Sequence, residues 1–416
     1  MGQVVVRAGC WIIMVVAILA GPRPELTRAR PVVFLLIATV ILPLIQLIPM
    51  PPAWWQALPG REILQIPGQA PPWRPWTMTP GATRNALASL VVPATMLLLL
   101  IQANERVRVW LLPTLLAMIS AAVFLGLLQF SGAQFNSPLL NDTPGVVSGI
   151  FANRNHFALL IAIGCLIAPV WAFSDRGKLG WRGPLAAGLV LLFVLTILAT
   201  GSRSGMLLGA LSLVLALVLV GRRLRRQLSR APFWAFPALV VGGIIVIGGF
   251  IGLSFTADRA EAINRLIVLE SDQDMRTRAL PTVLAMIGNY MPWGSGFGGF
   301  DPVFRIHEPF DLLKLTYFNQ AHNDYLGVAL DGGIAGVTVL TLGILWWLVG
   351  TIRVWRAEAD DAVLRARLGS AIIFLVLIAS IMDYPARTPT VMALLVVAAI
   401  WLAHATPRKP LTALPV

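Results

Sequence analysis

The chain has 416 residues, of which 57% are apolar and only 12% are charged, and its formal net charge is +13. A soluble protein of this length carries about twice that share of charged residues, so the composition excludes the soluble globular class. Both cysteines, Cys10 and Cys165, fall in apolar segments and imply neither a disulfide framework nor a thiolate metal site.

Apolar runs of about 18–25 residues recur along the chain, and each is long enough to cross about 30 Å of hydrocarbon. Because these runs are too long for the strands of a barrel, they predict transmembrane helices. We therefore predict a single all-α membrane domain over residues 1–416. Its eleven (ten to twelve) predicted spans are 4–20, 31–49, 85–103, 107–130, 156–173, 184–200, 205–220, 232–253, 323–350, 369–384 and 388–405.

The basic residues are concentrated in alternate linkers, and the densest cluster is Arg222-Arg223-Leu224-Arg225-Arg226. This alternation is the positive-inside pattern, so it assigns the net charge to membrane topology rather than to nucleic-acid binding. The basic linkers are then cytoplasmic, whereas the loops 50–84 and 254–322 are periplasmic. An odd number of spans leaves the N-terminus outside, although Arg7 favours the opposite orientation. Residues 1–20 are interpreted as a membrane helix rather than a cleaved signal peptide.

The two long outside loops differ in composition. Loop 50–84 is rich in Pro and Trp, which favours an aromatic belt at the membrane interface, with glycan stacking as the alternative. In loop 254–322, the spacing of Leu280, Val283, Leu284 and Ile287 predicts an amphipathic helix lying over the membrane domain. The glycine-dense turn that follows, 292–300, permits unusual backbone angles and the close approach of a ligand.

Polar side chains at the predicted outer boundary of the membrane are the candidate site residues, because polar groups at that depth are costly to retain. They form four groups along the chain: Arg154 and Asn155; Ser202, Arg203 and Ser204; Arg276 and Arg278; and His322, Asn323 and Asp324.

Two arginines predict an anion site. A guanidinium makes two parallel charge-assisted hydrogen bonds to a phosphate, and Ser202 and Ser204 could add donors beside Arg203. Arg276, or Arg278 in its place, could supply a second guanidinium, and together they would suit a diphosphate on a lipid. The alternative for Arg203 is an arginine that anchors the helix at the interface.

His322 predicts a proton acceptor, because imidazole titrates near neutral pH. The alternative is a structural histidine that caps the ninth span. Asp324 could orient His322, but helix capping is the favoured role. Asp331 lies deeper and needs a partner that the sequence does not identify, and His156 either joins the site or only lines the mouth of its helix. The scattered histidines and the absence of paired outside carboxylates predict no metal, and no nucleotide or other cofactor is expected.

The ordered set of motifs resembles the O-antigen ligase and polymerase superfamily of bacterial polytopic membrane proteins. The resemblance covers about 150–390. The stretches that carry it are Phe151 to Phe157, Gly201 to Gly205, Arg276 to Ile287, Pro292 to Phe300, His322 to Leu326, Gly332 to Gly336, and Asp383-Tyr384-Pro385.

The resemblance implies a GT-C-type bundle with a large periplasmic loop, in the bacterial inner membrane, acting as an inverting glycosyltransferase without metal or nucleotide. Its donor would be a glycan on undecaprenyl diphosphate, and its acceptor a sugar hydroxyl, either lipid A-core for a ligase or another glycan for a polymerase. The family's roles assign Arg203 and Arg276 to the diphosphate and His322 to the acceptor, as a base or as a positioning group. A transporter or flippase is the alternative class, but it would place charged or helix-breaking residues mid-span, where few occur.

Overall fold

A computed structural model describes residues 2–65, 72–133, 135, 137, 146–174, 180–227, 272–313, 318–358 and 360–404, with a few positions between 241 and 252. Within that part of the chain, eight helical segments are long and apolar enough to cross a membrane, and two apolar helices are shorter. Among the described residues, secondary structure is almost entirely helical, apart from one two-residue antiparallel pair, Pro49–Met50 (β1) with Arg74–Pro75 (β2). The prediction of an all-α integral membrane protein is confirmed.

The helices follow the predicted spans closely. They are α1 Gly2–Ala20, α2 Arg30–Gln46, α3 Pro52–Gln56, α4 Pro80–Ser89, α5 Val91–Gln102, α6 Glu105–Phe130, α7 Arg154–Ala172, α8 Arg182–Ala199, α9 Arg203–Gln227, α10 Asp272–Tyr290, α11 Phe300–His307, α12 Asp324–Arg356, α13 Asp361–Met382 and α14 Pro389–His404. Each predicted span coincides with one helix, or with the pair α4 and α5. The exception is 232–253, which lies almost wholly outside the described residues.

Helix α7 is the centre of the bundle, since nearly all of its side chains are buried. It packs against α8 and α9, and small residues allow the close approach. A side chain at Gly205 would overlap Ala158 of α7.

Helix α1 is peripheral: among its residues only Ala17 is buried, and Val4 and Ile12 are among its exposed apolar side chains. Such an apolar exterior suits contact with lipid.

The amphipathic helix predicted in the second loop is α10, and two of the four apolar residues that indicated it, Val283 and Ile287, lie on its buried face. Leu280 and Leu284 are exposed, whereas Met275, Ala279, Val283, Met286 and Tyr290 are buried. The buried residues follow the i, i+4, i+8 stripe of one helix face and form a small core with α11, in particular with Phe300 and Phe304.

The glycine-dense turn is packed against α12 instead of standing open for a ligand. Gly294 has φ +80°, and a Cβ there would lie 2.6 Å from the backbone nitrogen of Gly333, where α12 is kinked. The turn's own N–H groups donate to protein acceptors: Gly296 N–H to the Asp331 carbonyl (3.0 Å) and Phe297 N–H to the Gln46 side chain (2.9 Å). The expectation that a ligand approaches these glycines is therefore corrected.

Loop 50–84 is tied to this turn by a buried arginine. Arg61 is fully buried and donates to the carbonyls of Trp76 (2.9 Å) and Gly294 (3.2 Å). Trp55 is also buried and donates to the Pro75 carbonyl, so the aromatic-belt interpretation is wrong for that side chain, although Trp54 and Trp73 are exposed.

Candidate active site

The Asp383 carboxylate, directly after α13, joins three of the four predicted polar groups. Asp383 is only 2% exposed, so its charge is stabilised by hydrogen-bond donors of the protein and not by water. One oxygen, Oδ2, accepts from the side-chain amides of Asn153 and Asn155, both at 2.8 Å. The other, Oδ1, accepts from the backbone N–H of Tyr384 at 3.0 Å. A buried carboxylate is stable only when it is satisfied in this way.

His322 is bonded to the same carboxylate. Its Nδ1 lies 3.1 Å from Asp383 Oδ1, and its ring packs between the rings of Phe318 (5.1 Å) and Tyr384 (5.0 Å). Beside a carboxylate, Nδ1 carries the proton, so the lone pair is on Nε2. The side chain is 15% exposed, and the backbone of His322 has φ +48°, a strained conformation of the sort found at functional sites.

Arg276 approaches from α10. It donates from Nη1 to the Met382 carbonyl at 3.0 Å, and its Nη2 lies 3.6 Å from Asp383 Oδ2. Burial opposes ionisation of Asp383, but the hydrogen bond with His322 and the positive charges nearby outweigh burial and hold the pKa of this carboxyl well below its usual range. Asp383 is therefore a fixed negative charge between Arg276 and His322.

The 201–205 turn is joined to this carboxylate through Asn155. The Ser202 hydroxyl donates to Asn155 Oδ1 at 2.7 Å and accepts the N–H of Gly205 at 2.9 Å. Its proton is thus already committed, which corrects the expectation that Ser202 is a donor for an anion. Ser204 Oγ lies 3.2 Å from Ser202 Oγ. Arg203 opens α9 between the two serines.

The first residue of α7, Arg154, is exposed at the same turn. A Cβ at Gly201 would lie 3.7 Å from Arg154 Nη1. Arg278, in contrast, is directed elsewhere: its Nη2 donates to the carbonyl of Asp311 at 2.9 Å and lies 3.4 Å from its carboxylate. The two arginines of α10 therefore have different partners, and it is Arg276 that contacts Asp383.

Asn323, and not Asp324, caps helix α12. Asn323 Oδ1 accepts the N–H of Leu326 at 3.0 Å, and its amide donates to the carbonyl of Ile381. Asp324 instead accepts the Ser380 hydroxyl (2.9 Å) and the N–H of Ala386 (3.1 Å). The preferred sequence interpretation of Asp324 as a helix cap is wrong.

Arg387 is the functional-site neighbour that sequence reasoning missed. Its guanidinium lies 3.6 Å from Asp324 and 3.3 Å from Asp331, which is the partner that buried Asp331 required. The sequence held a usable signal. Asp324 and Asp331 are seven residues apart, two helical turns on one face, and such a pair of carboxylates calls for a cation between them.

His156 also belongs to this cluster, which decides between its two predicted positions. It is 3% exposed, and its Nε2 lies 3.8 Å from Asp383 Oδ1. A narrow cavity beside it is lined by Asn155, Ser204 and Ala379, among others. Within the described residues, no three His, Cys, Asp or Glu side chains are grouped so that they could hold a metal ion.

The fold and the site thus define a multi-pass, all-α membrane protein with a charged, histidine-containing site where several of its helices end. Residues 187–341 match the family model described as O-antigen ligase. This match, which covers part of the chain, supports the predicted resemblance to the O-antigen ligase superfamily. A comparison with curated proteins returned no match.

Proposed function

We propose that the protein is an inverting glycosyltransferase that moves a glycan from undecaprenyl diphosphate to a sugar hydroxyl. The observation that carries this proposal is the Asp383 carboxylate, which joins a histidine on one oxygen to an arginine beside the other. Glycosyl transfer from a diphosphate needs a proton acceptor and a cation close together, and this arrangement supports both roles.

His322 is the acceptor-side residue. The hydroxyl oxygen of the acceptor attacks the anomeric carbon of the donor sugar, and the bond between that carbon and the phosphate oxygen breaks. The hydroxyl proton passes to Nε2 of His322, while Asp383 on Nδ1 stabilises the resulting imidazolium. Attack opposite the leaving group inverts the anomeric configuration, and the diphosphate departs with the bonding electrons.

Arg276 and Arg203 are the donor-side residues, and they stabilise the negative charge that develops on the leaving diphosphate. Arg276 is 23% exposed at the side chain, and its contact with Asp383 is long, so its guanidinium can reach a phosphate without leaving the cluster. Arg203 is held at the turn that Ser202 and Asn155 connect to Asp383. Arg154 and Ser204 are further substrate-side residues in this proposal; Arg278, Asn323 and Asp324, which the sequence also predicted there, bond to protein groups.

The site faces the periplasm of a bacterial inner membrane in this proposal, since the basic linkers lie at the other ends of the helices. Transfer to lipid A-core, which is the ligase reaction, is the proposed activity. Transfer to a second lipid-linked repeat, which is the polymerase reaction, uses the same chemistry at His322 and differs only in the acceptor.

Transfer by the purified protein in nanodiscs tests the proposal directly. The donor is an undecaprenyl-diphosphate oligosaccharide, and the acceptor is lipid A-core or a second copy of the donor. We expect His322→Gln to lower kcat by at least about 100-fold with the donor KM unchanged, and Arg276→Ala to raise the donor KM as well.

Arg305→Ala is the matched control, since Arg305 pairs with Asp301 on the side of α11 that faces away from its buried phenylalanines. It should transfer at the wild-type rate. Wild-type rates in both His322→Gln and Arg276→Ala would refute the assignment of the site, and the identity of the product distinguishes ligase from polymerase.

A further inference from the structure

One oxygen of Asp383 faces two imidazole rings. His322 Nδ1 lies 3.1 Å from Oδ1, His156 Nε2 lies 3.8 Å from the same atom, and the backbone N–H of Tyr384 donates to it at 3.0 Å. A carboxylate oxygen has two lone pairs, and both are already occupied by His322 and Tyr384. A third strong donor can therefore bond Oδ1 only by weakening one of these bonds.

The packing around His156 does not by itself account for an imidazole there. Its ring contacts Tyr384 (5.1 Å between centroids) and Phe151 (6.3 Å) edge-on, contacts that a phenylalanine could make equally well. Its Nε2 is buried and has no hydrogen-bond partner within the described residues. A buried polar atom without a partner destabilises the fold, so its retention indicates a role.

The charges that face His156 come from three neighbouring elements. They are Asp383 at the end of α13, Arg276 on α10 and His322 before α12. The charges of Asp383 and Arg276 are opposite, so the cluster is neutral when neither imidazole is protonated. A proton on His156 would give it an ion pair with Asp383, at the oxygen that also holds His322.

We propose that His156 is a positioning residue that controls His322 through Asp383. Neutral His156 leaves Oδ1 to His322, whose Nδ1–H bond then directs Nε2 toward the acceptor hydroxyl. Protonated His156 draws Oδ1 toward itself and weakens that bond, so transfer slows at acidic pH. This inference rests on the proposed function, because it requires His322 to act on the acceptor.

The test compares wild type, His156→Phe and His156→Gln in the transfer assay from about pH 8 to pH 5.5, the range in which imidazoles titrate. The readout is the ratio of kcat at about pH 5.5 to the kcat of the same protein at about pH 8, with the donor KM measured at both pH values. Both variants should lose a smaller fraction of their own rate on acidification than wild type, because one titrating ring is gone. His404→Gln is the control histidine; His404 bonds the Ile400 carbonyl of its own helix, lies outside the Asp383 cluster and should keep the wild-type pH profile.

An acid limb identical to wild type in both His156 variants would overturn the inference. If His156→Phe does not elute as a folded protein, the comparison of His156→Gln with wild type decides the question in the same way. A wild-type protein that transfers no glycan at any pH overturns the proposed function together with this inference, whereas an active wild type with unchanged variant profiles overturns the inference alone.

Discussion

Replacement of Asp383 by asparagine is the sharpest test of the site, because the side chain keeps its shape and loses only its charge. Each oxygen already accepts two donors: the amides of Asn153 and Asn155 on one side, the Tyr384 N–H and His322 on the other. The new NH₂ group must face a pair of donors in either orientation. When the NH₂ group faces His322, it donates to Nδ1, so Nδ1 becomes an acceptor and the imidazole proton moves to Nε2.

That tautomer cannot take a proton from the acceptor hydroxyl. A hydrogen bond to a charged group contributes about 1.5–3 kcal/mol, so loss of the bond to His322 alone corresponds to about a 10- to 100-fold loss of rate. The wrong tautomer adds to this; in the serine-protease triad the analogous change costs about 10⁴-fold. We expect kcat for Asp383→Asn to fall by about 10³-fold, with the donor KM changed much less.

The same substitution has a separate effect on stability. An unsatisfied buried donor costs about 1–3 kcal/mol, so the melting temperature should fall. The folded pKa of Asp383 lies below its unfolded value of about 3.9, hence the charged carboxylate stabilises the fold fully above about pH 4, and that contribution is lost as the pH falls toward the folded pKa. The difference in melting temperature between wild type and Asp383→Asn should therefore narrow below about pH 4.

Initial rates of transfer with saturating donor, measured beside thermal unfolding of the same samples, check both effects. A folded Asp383→Asn protein with a wild-type kcat would refute the role given to Asp383 in orienting His322. A change confined to the donor KM would mean that Asp383 serves the diphosphate side through Arg276 instead.

Three further predictions concern packing and chemistry. Gly327→Ala places a methyl group against the Arg387 guanidinium, separates that guanidinium from Asp324 and Asp331, and should cost about 2 kcal/mol of stability. Gly343→Ala on the same helix is the control and should be neutral, because the nearest atom to its new Cβ is 3.9 Å away. Equal melting temperatures of the two variants would contradict the ion cluster. Gly205→Ala should push α9 away from α7, cost about 1–3 kcal/mol of stability and so lower the melting temperature. Gly221→Ala is the control, because no atom lies within 4 Å of its new Cβ, and its melting temperature should not change. An unchanged melting temperature in Gly205→Ala would contradict the close packing of α7 and α9. A chelator such as EDTA should leave the transfer rate unchanged, and loss of transfer that added Mg²⁺ or Zn²⁺ restores would show that a metal takes part.

The sequence was sufficient for the membrane helices because length and hydropathy alone define them. Every predicted span that falls on described residues coincides with helix, and His322, Arg276 and Asn155 do meet, as their common position at helix ends suggested. The amphipathic helix α10 was also predicted, and Val283 and Ile287 among its four marker residues lie on the buried face, whereas Leu280 and Leu284 do not. Leu280 and Leu284 satisfy a helical spacing as well as Met275 and Ala279 do, and tertiary packing chose between two possible stripes.

Contacts between distant segments were beyond reach for a physical reason. Asp383 and Asn155 are 228 residues apart, and nothing local in either segment specifies that the other is near. The glycines at 294–298 were correctly singled out, yet a glycine reports only that something approaches the backbone. Here that neighbour is helix α12 at Gly333, not a ligand.

The five-residue loop from Asp383 to Arg387 carries a practical consequence for engineering. The match to the O-antigen ligase family covers 187–341, whereas Asp383 and Arg387 follow it and Asn153 and Asn155 precede it. A chimaera cut at the boundaries of the matched segment would combine His322 and Arg276 from one parent with the carboxylate that holds them from another. A chimaera between relatives should therefore carry at least residues 153–387 from one parent protein, so that all members of this charge cluster come from the same parent.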